Sequence, residues 1–239
     1  MFRTLVWFMY FMGSLVKSLP KLSKINKMES KGLIEESQKR SFIIVKEWCD
    51  KLIRLAGVEV EIIGEENIPK EGPVLFVSNH QSNFDIPILL AKIDKPKAFI
   101  AKIELKKFPV VNRWMQKINC IFMDRSDIRQ SAKSIIKGIK LLKSGYSIVV
   151  FPEGTRSEDG NLLEFKAGAL KLAIKSGVPI VPIIINGSKE IMPKGSKTIR
   201  SSKVKLIIEK PILNDEYKTL DTFEITNNLK SIIENKLSI

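Results

Sequence analysis

The chain has 239 residues, 44% of them hydrophobic and 28% charged. That is ordinary for a globular protein with a sizeable core, in one large domain or two small ones, and there is no low-complexity tract or repeat to suggest a fibrous or disordered chain. The formal net charge of +14 points to an anionic partner, whether nucleic acid, lipid headgroups or phosphorylated small molecules, without choosing among them.

The first segment, from Leu5 to Val16, is almost continuously apolar and rich in aromatic residues. It is shorter than the ~20 residues needed to span a bilayer, and no small-x-small cleavage site follows it. Arg3 precedes the run, and Lys17, Lys21, Lys24 and Lys27 follow it. Such a segment reads as a helix lying in the membrane interface; a core helix is the competing reading. From Ser30 to Ala56 apolar residues recur at three- and four-residue spacings, which predicts a second helix ended by Gly57. The two helices are expected to form a membrane-associating hairpin, residues 1–57, hinged near Pro20.

Beyond Gly57 strands and helices alternate. Strands are expected at Val58 to Ile63, Val74 to Ser78, Ala98 to Ala101, Ile121 to Met123, Ser147 to Phe151, Ile180 to Ile185 and Val204 to Ile208. Helices are expected at Ile86 to Lys92, Val110 to Ile118, Ile128 to Lys143, Gly168 to Ser176 and Leu220 to Leu237. This alternation predicts that residues 58–239 form an α/β domain, a mixed, largely parallel sheet covered by helices, with ligands held beyond the carboxyl ends of its strands.

The single histidine stands in Asn79-His80-Gln81-Ser82-Asn83-Phe84-Asp85, where a buried strand gives way to a helix. Asp85, in the first turn of that helix, can accept from one ring nitrogen and fix the tautomer, leaving the other to take a proton from an attacking hydroxyl. A histidine held structurally at a turn is the competing reading. Two basic stretches bear on that choice. In Phe151-Pro152-Glu153-Gly154-Thr155-Arg156-Ser157, Gly154 permits a tight turn, Thr155 offers a hydroxyl and Arg156 a planar fork suited to phosphate. Glu153 would repel a phosphate and is better placed to orient Arg156 or to accept backbone amides. Arg125 follows another short strand, and Lys102 a third. The cysteines, Cys49 and Cys120, have no zinc or disulfide spacing and read as reduced core thiols. No cluster of ligating residues suggests a metal.

These motifs resemble the glycerolipid acyltransferase family, and most closely its bacterial lysophosphatidate acyltransferases. Asn79 to Asp85 matches the family's first block, with the His and Asp that the family uses in catalysis. Ile121 to Arg125 matches the second, whose arginine the family places on the substrate phosphate. Phe151 to Ser157 matches the third without departure, and Val178 to Pro182 the fourth. Lys102 to Leu105 with Pro109 also follows the pattern. The resemblance runs from about Val58 to about Pro211, with Asn119 standing where family members often have glycine; asparagine tolerates a left-handed backbone best among the other residues.

The resemblance implies acyl transfer from acyl-CoA or acyl-carrier protein to the sn-2 hydroxyl of 1-acyl-sn-glycerol 3-phosphate, giving phosphatidate for phospholipid synthesis. His80 and Asp85 would be catalytic, and Lys102, Arg125, Glu153, Gly154, Thr155 and Arg156 would bind substrate. No metal or cofactor is implied, and no Gly-x-Ser-x-Gly elbow suggests an acyl-enzyme. The expected location is the cytoplasmic face of the cell membrane, as a monotopic or peripheral protein. Sister acyltransferases that use glycerol 3-phosphate or another lysophospholipid are the nearest alternatives. A basic nucleic-acid or membrane-binding protein without catalysis is the rival from another class, although no nucleic-acid fold signature or aromatic stacking platform is present.

Overall fold

A computed structural model of the chain describes residues 1–157, 160–193 and 195–237. Seven strands form one sheet: β1 (Val58–Ile63), β2 (Leu75–Ser78), β3 (Lys97–Lys102), β4 (Ile121–Met123), β5 (Ser147–Val150), β6 (Ile180–Asn186) and β7 (Ser202–Ile208). Their spatial order is β1-β7-β6-β2-β5-β3-β4. All neighbours are parallel except β6 and β7. The strands β6, β2, β5, β3 and β4 therefore end at one edge of the sheet.

The helices are α1 (Phe2–Ser30), α2 (Ile34–Leu55), α3 (Asp85–Lys92), α4 (Val111–Lys117), α5 (Ile128–Lys143), α6 (Lys171–Ser176), α7 (Asn214–Tyr217) and α8 (Thr222–Leu237). Alternate residues of each central strand supply two separate cores. Phe76, Val149, Val181 and Ile185 face a layer built from α1, α2, α3 and α4. Leu75, Val77, Ile148, Val150 and Ile184 face Leu142, Leu172, Leu229 and Ile233 of α5, α6 and α8. With both faces covered, these strands are fully buried and read in the sequence as unbroken apolar runs.

The N-terminal hairpin is part of the first layer. All three tryptophans pin α1: Trp7 donates to the Leu52 carbonyl at 2.9 Å, Trp48 to Ser14 Oγ at 2.8 Å and Trp114 to Ser18 Oγ at 2.9 Å. Leu22 and Ile25 are buried beneath the helix. No hinge forms at Pro20. The helix runs through it to Ser30, and the chain reverses over residues 31–33, where Gly32 has φ +79°. The carbonyl that loses its partner to the proline ring belongs to Val16, a residue on the exposed side of the helix. Packing of Leu22 and Ile25 beyond the proline carries the helix on. None of the described helices is long and apolar enough to cross a membrane.

The remaining differences from the sequence reading lie at element ends. The helix expected from Gly168 is a short 3₁₀ turn, Ala167–Ala169, followed by α6. The short α7 had no periodic signal of its own. Lys97, at the amino end of β3, is wholly buried; burial pulls its ammonium down to about 7, while it donates to the carbonyls of Ile93 and Lys95 at 2.8 and 3.0 Å. It lies at the edge of the sheet opposite the histidine.

Candidate active site

The segment between β2 and α3 is built around the carboxylate of Asp85. This side chain is wholly buried, and its Oδ2 accepts from three donors: His80 Nδ1 at 2.7 Å, the Gln81 amide at 2.7 Å and the Ser82 amide at 2.8 Å. Its Oδ1 accepts from Ser188 Oγ at 2.5 Å. Asp85 also opens α3, where the positive end of the helix dipole favours a negative charge. The imidazole is thus held through Nδ1, which carries the hydrogen toward Asp85, and Nε2 is the nitrogen left to accept a proton.

The loop after β5 encloses the same histidine. The Phe151 ring stacks on the imidazole, with centroids 4.1 Å apart and planes 17° from parallel. Glu153 accepts the His80 amide at 2.6 Å and the Leu163 amide at 2.9 Å. The Ser157 amide donates to the His80 carbonyl at 2.9 Å. Burial pushes the Glu153 carboxyl up to about 7, against these two amide bonds, which favour its charged form. Both Glu153 oxygens are therefore engaged with backbone. Gly154 has φ +74°, and a Cβ there would meet the stem of Lys166 at 3.2 Å, so the turn requires glycine.

Asn79 ties the end of β2 to the end of β6. Its Oδ1 accepts the Ile185 amide at 2.8 Å and its Nδ2 donates to the Ile185 carbonyl at 2.9 Å, extending the sheet by a side chain. Phe84, one residue before α3, lies 5.5 Å from the Trp7 ring. The N-terminal hairpin thus packs directly beneath the histidine turn.

Comparison with known proteins gives the family. The family model described as acyltransferase matches residues 59–186. The chain belongs to the acyltransferase family. It is 37% identical over 208 residues to a probable 1-acyl-sn-glycerol-3-phosphate acyltransferase of Mycoplasma genitalium, covering 82% of this chain and 75% of that one. It is 34% identical over 197 residues to a 1-acyl-sn-glycerol-3-phosphate acyltransferase of Borreliella burgdorferi, covering 82% and 77%. The crystal structure of the 1-acyl-sn-glycerophosphate (LPA) acyltransferase PlsC from Thermotoga maritima superposes with a TM-score of 0.87 at 30% identity, over 99% of this chain and 94% of that one.

In this acyltransferase the cationic residues picked out in the sequence stand along the same sheet edge as His80. Arg156 and Thr155 are on the loop of β5, the strand next to β2, with Arg156 half-buried and Thr155 exposed. Lys102 ends β3 and is exposed, with its Nζ 3.9 Å from Glu104 Oε1. Arg125 follows β4 at the end of the row and is exposed. At a strand spacing of about 4.8 Å, the end of β3 lies about 10 Å and that of β4 about 14 Å from the end of β2. The Arg125 turn is shaped by Asp124 Oδ1, which accepts the Ser126 amide at 2.9 Å, and by Gln130 Oε1, which accepts the Asp124 amide at 2.6 Å. Before β4, Asn119 adopts φ +59°, so the turn that family members often make with glycine is made here by asparagine.

The sequence reading did not single out Ser188, whose hydroxyl reaches Asp85, and gave Phe151 no role toward the imidazole. The signal for Ser188 was its place just past the end of a buried strand, the position that also flags His80 and Arg156. Among the described residues no group of His, Cys, Asp and Glu can hold a metal ion. A separate cavity of about 420 Å³ lies between α1 and α2, lined by Gly13, Trp48 and Trp114, and includes neither His80 and Asp85 nor the cationic residues of the sheet edge.

Proposed function

We propose that this acyltransferase moves a fatty acyl group from acyl-CoA or acyl-carrier protein to the sn-2 hydroxyl of 1-acyl-sn-glycerol 3-phosphate, giving phosphatidate. The observation that carries the reading is the 2.7 Å bond from His80 Nδ1 to a wholly buried carboxylate, on a sheet edge that also bears Arg156, Lys102 and Arg125. His80 Nε2 takes the proton of the acceptor hydroxyl as its oxygen attacks the thioester carbonyl. The carbon–oxygen bond forms, the carbon–sulfur bond breaks as the tetrahedral intermediate collapses, and the imidazolium returns its proton to the departing thiolate. Asp85 stabilises the imidazolium between these steps, the role an aspartate plays beside a triad histidine, with the substrate alcohol replacing a serine.

The phosphate of the acceptor is bound by Arg156, Lys102 and Arg125, which holds the hydroxyl against His80. Gly154 shapes the loop on which Arg156 stands, the exposed Thr155 offers its hydroxyl to the same phosphate, and Glu153 fixes that loop to the His80 backbone. Replacing Arg156 with Ala is expected to raise KM for lysophosphatidate about 10- to 100-fold, the scale of one charge-assisted hydrogen-bonded contact. A monoacylglycerol, which lacks the phosphate, should be used equally by both proteins. Unchanged constants for lysophosphatidate would remove Arg156 from the phosphate site.

The exposed face of α1 supports docking on a membrane surface. Phe2, Leu5, Met9, Met12, Val16 and Leu19 are exposed and recur at alternating three- and four-residue steps, forming one apolar stripe opposite the buried Trp7 and Ile25. The acyltransferase lies on the cytoplasmic face of the cell membrane, and its basic residues add about 1 kcal/mol each where they come near anionic lipid. Truncating α1 would strip Trp7, Leu22 and Ile25 from the core, so substitutions on the stripe are the cleaner test. A Leu5→Glu, Met9→Glu, Met12→Glu variant should keep its thermal unfolding transition and stay in the supernatant when vesicles containing anionic phospholipid are sedimented. Retention of vesicle binding by this variant would rule out the stripe as the anchor.

The reaction itself is tested with purified protein, lysophosphatidate and either donor, with the lipid product identified by mass spectrometry. Phosphatidate is the expected product. Acylation of glycerol 3-phosphate in preference to lysophosphatidate would move the assignment to a sister activity, and no acylated product with either acceptor would overturn it.

A further inference from the structure

We propose that Ser188 is a positioning residue of the acyl-transfer site, anchoring the outer oxygen of Asp85 so that the inner one stays aligned on His80; this rests on the reading of His80 as the base.

The geometry carries the inference. Ser188 and Asp85 are both wholly buried, and Ser188 Oγ donates to Asp85 Oδ1 at 2.5 Å across a separation of 103 residues. Of the four hydrogen bonds that Asp85 accepts among the described residues, three converge on Oδ2 from the histidine turn itself. Among the same residues Oδ1 accepts from the serine alone. Rotation about the Cβ–Cγ bond moves both oxygens together, so a bond to Oδ1 from a distant turn resists the rotation that would carry Oδ2 off its three donors.

The chain around Ser188 is held to deliver this bond. Gly187 adopts φ +93°, and a Cβ there would stand 2.5 Å from the Lys203 carbonyl oxygen, so only glycine lets the strand turn sharply enough to drive residue 188 under α3. The Gly187 carbonyl accepts from Ser202 Oγ at 3.1 Å, which fixes the turn to β7. On the other side, Asn79 pairs with both backbone groups of Ile185, so the ends of β2 and β6 keep a fixed spacing. A hydroxyl just beyond β6 and a carboxylate beyond β2 are thereby held at one distance.

Two consequences are measurable. Loss of the bond loosens the alignment of Oδ2 and lowers the rate. It also leaves the carboxylate with fewer donors, so it attracts the imidazole proton more strongly, and the neutral ring that acts as base appears only at higher pH. Among the described residues, the other charged groups on the elements packed around the histidine turn are Glu153, which accepts the His80 amide, Arg156 and Lys166 of the same loop, and Lys189, which follows Ser188 in its turn. All are present in every variant below, so the difference between pH profiles reports on the altered bond.

The experiment measures kcat/KM against pH by thiol release from acyl-CoA with lysophosphatidate, for the wild type, Ser188→Ala, Ser188→Cys, Ser188→Thr and His80→Ala. Ser188→Ala is expected to lower kcat/KM about 10- to 100-fold, the scale of a hydrogen bond to a charged group. The fall should lie in kcat, with KM for lysophosphatidate unchanged, and the acidic limb should move to higher pH. Ser188→Cys, close in volume but a poor donor, should behave like Ser188→Ala. Ser188→Thr, which keeps the hydroxyl, should restore the limb. Folded Ala and Cys variants with an unmoved limb and wild-type rate would overturn the proposal, as would a loss of activity that only tracks a loss of folded protein. A His80→Ala protein as active as the wild type would instead sink the base reading, so the two failures are told apart.

Discussion

Replacing His80 with Ala should lower turnover about 10²- to 10⁴-fold, the range over which a positioned general base contributes. The loss should be catalytic rather than structural. The bonds that fix His80 in the fold are made by its main chain, to Glu153 Oε1 at 2.6 Å and from the Ser157 amide at 2.9 Å, and alanine retains both. Asp85 loses one of its four donors and keeps the amides of Gln81 and Ser82 and the Ser188 hydroxyl. The vacated space lies against the face of Phe151, beside a ring already partly open to solvent at 15% exposure, and water can enter it. A thermal melt close to wild type together with turnover reduced on this scale is the expected pair of results. Full activity in a folded His80→Ala protein would end the mechanism proposed above.

Changes at Asp85 should separate its two duties. Asp85→Ala leaves two buried amides, the imidazole and a buried hydroxyl without their acceptor. The expected cost is about 3 to 5 kcal/mol of stability, the range seen when one partner of a buried charged network is removed, accompanied by loss of activity. Asp85→Asn should be milder in stability, because an amide oxygen can replace Oδ2. The amides of Gln81 and Ser82 both point at that corner, so the oxygen of the new side chain must occupy it and its NH₂ must face Ser188. The histidine tautomer is then preserved, and what is lost is the negative charge behind the imidazolium. Turnover should fall about 10²-fold or more, short of the ~10⁴-fold that accompanies a wrong tautomer in a serine-protease triad. Urea unfolding of both variants alongside their kinetics checks this; an Asn variant as unstable as the Ala variant would show that the amide has flipped.

Much of the site was legible because it is local. His80 and Asp85 lie five residues apart at a strand-to-helix junction, and a turn of that length has few ways to avoid bringing them together. Phe151 to Ser157 was legible as a tight turn because it follows a buried strand and carries Gly154. The proline at position 20 misled because its effect depends on whether its face of the helix is wet, and burial on a neighbouring layer is not written in the segment itself. Glu153 shows the same limit. Its residue type, beside an arginine in a loop at a strand end, allowed both substrate and scaffold roles, and the partners it takes, the amides of His80 and Leu163, lie 73 and 10 residues away.

The amino-acid sequence determined the alternation of elements, the apolar runs of the buried strands and the placing of the histidine and its carboxylate at one strand-to-helix junction, since each is written in a short stretch of chain. Tertiary structure decided that β5 stands beside β2, so that Glu153 and Phe151 close on His80. It also set Arg125 three strands away and brought Ser188 under Asp85. These are outcomes of strand order, and strand order is chosen by how all the helices together cover both faces of the sheet, a global packing condition that no single stretch of residues encodes.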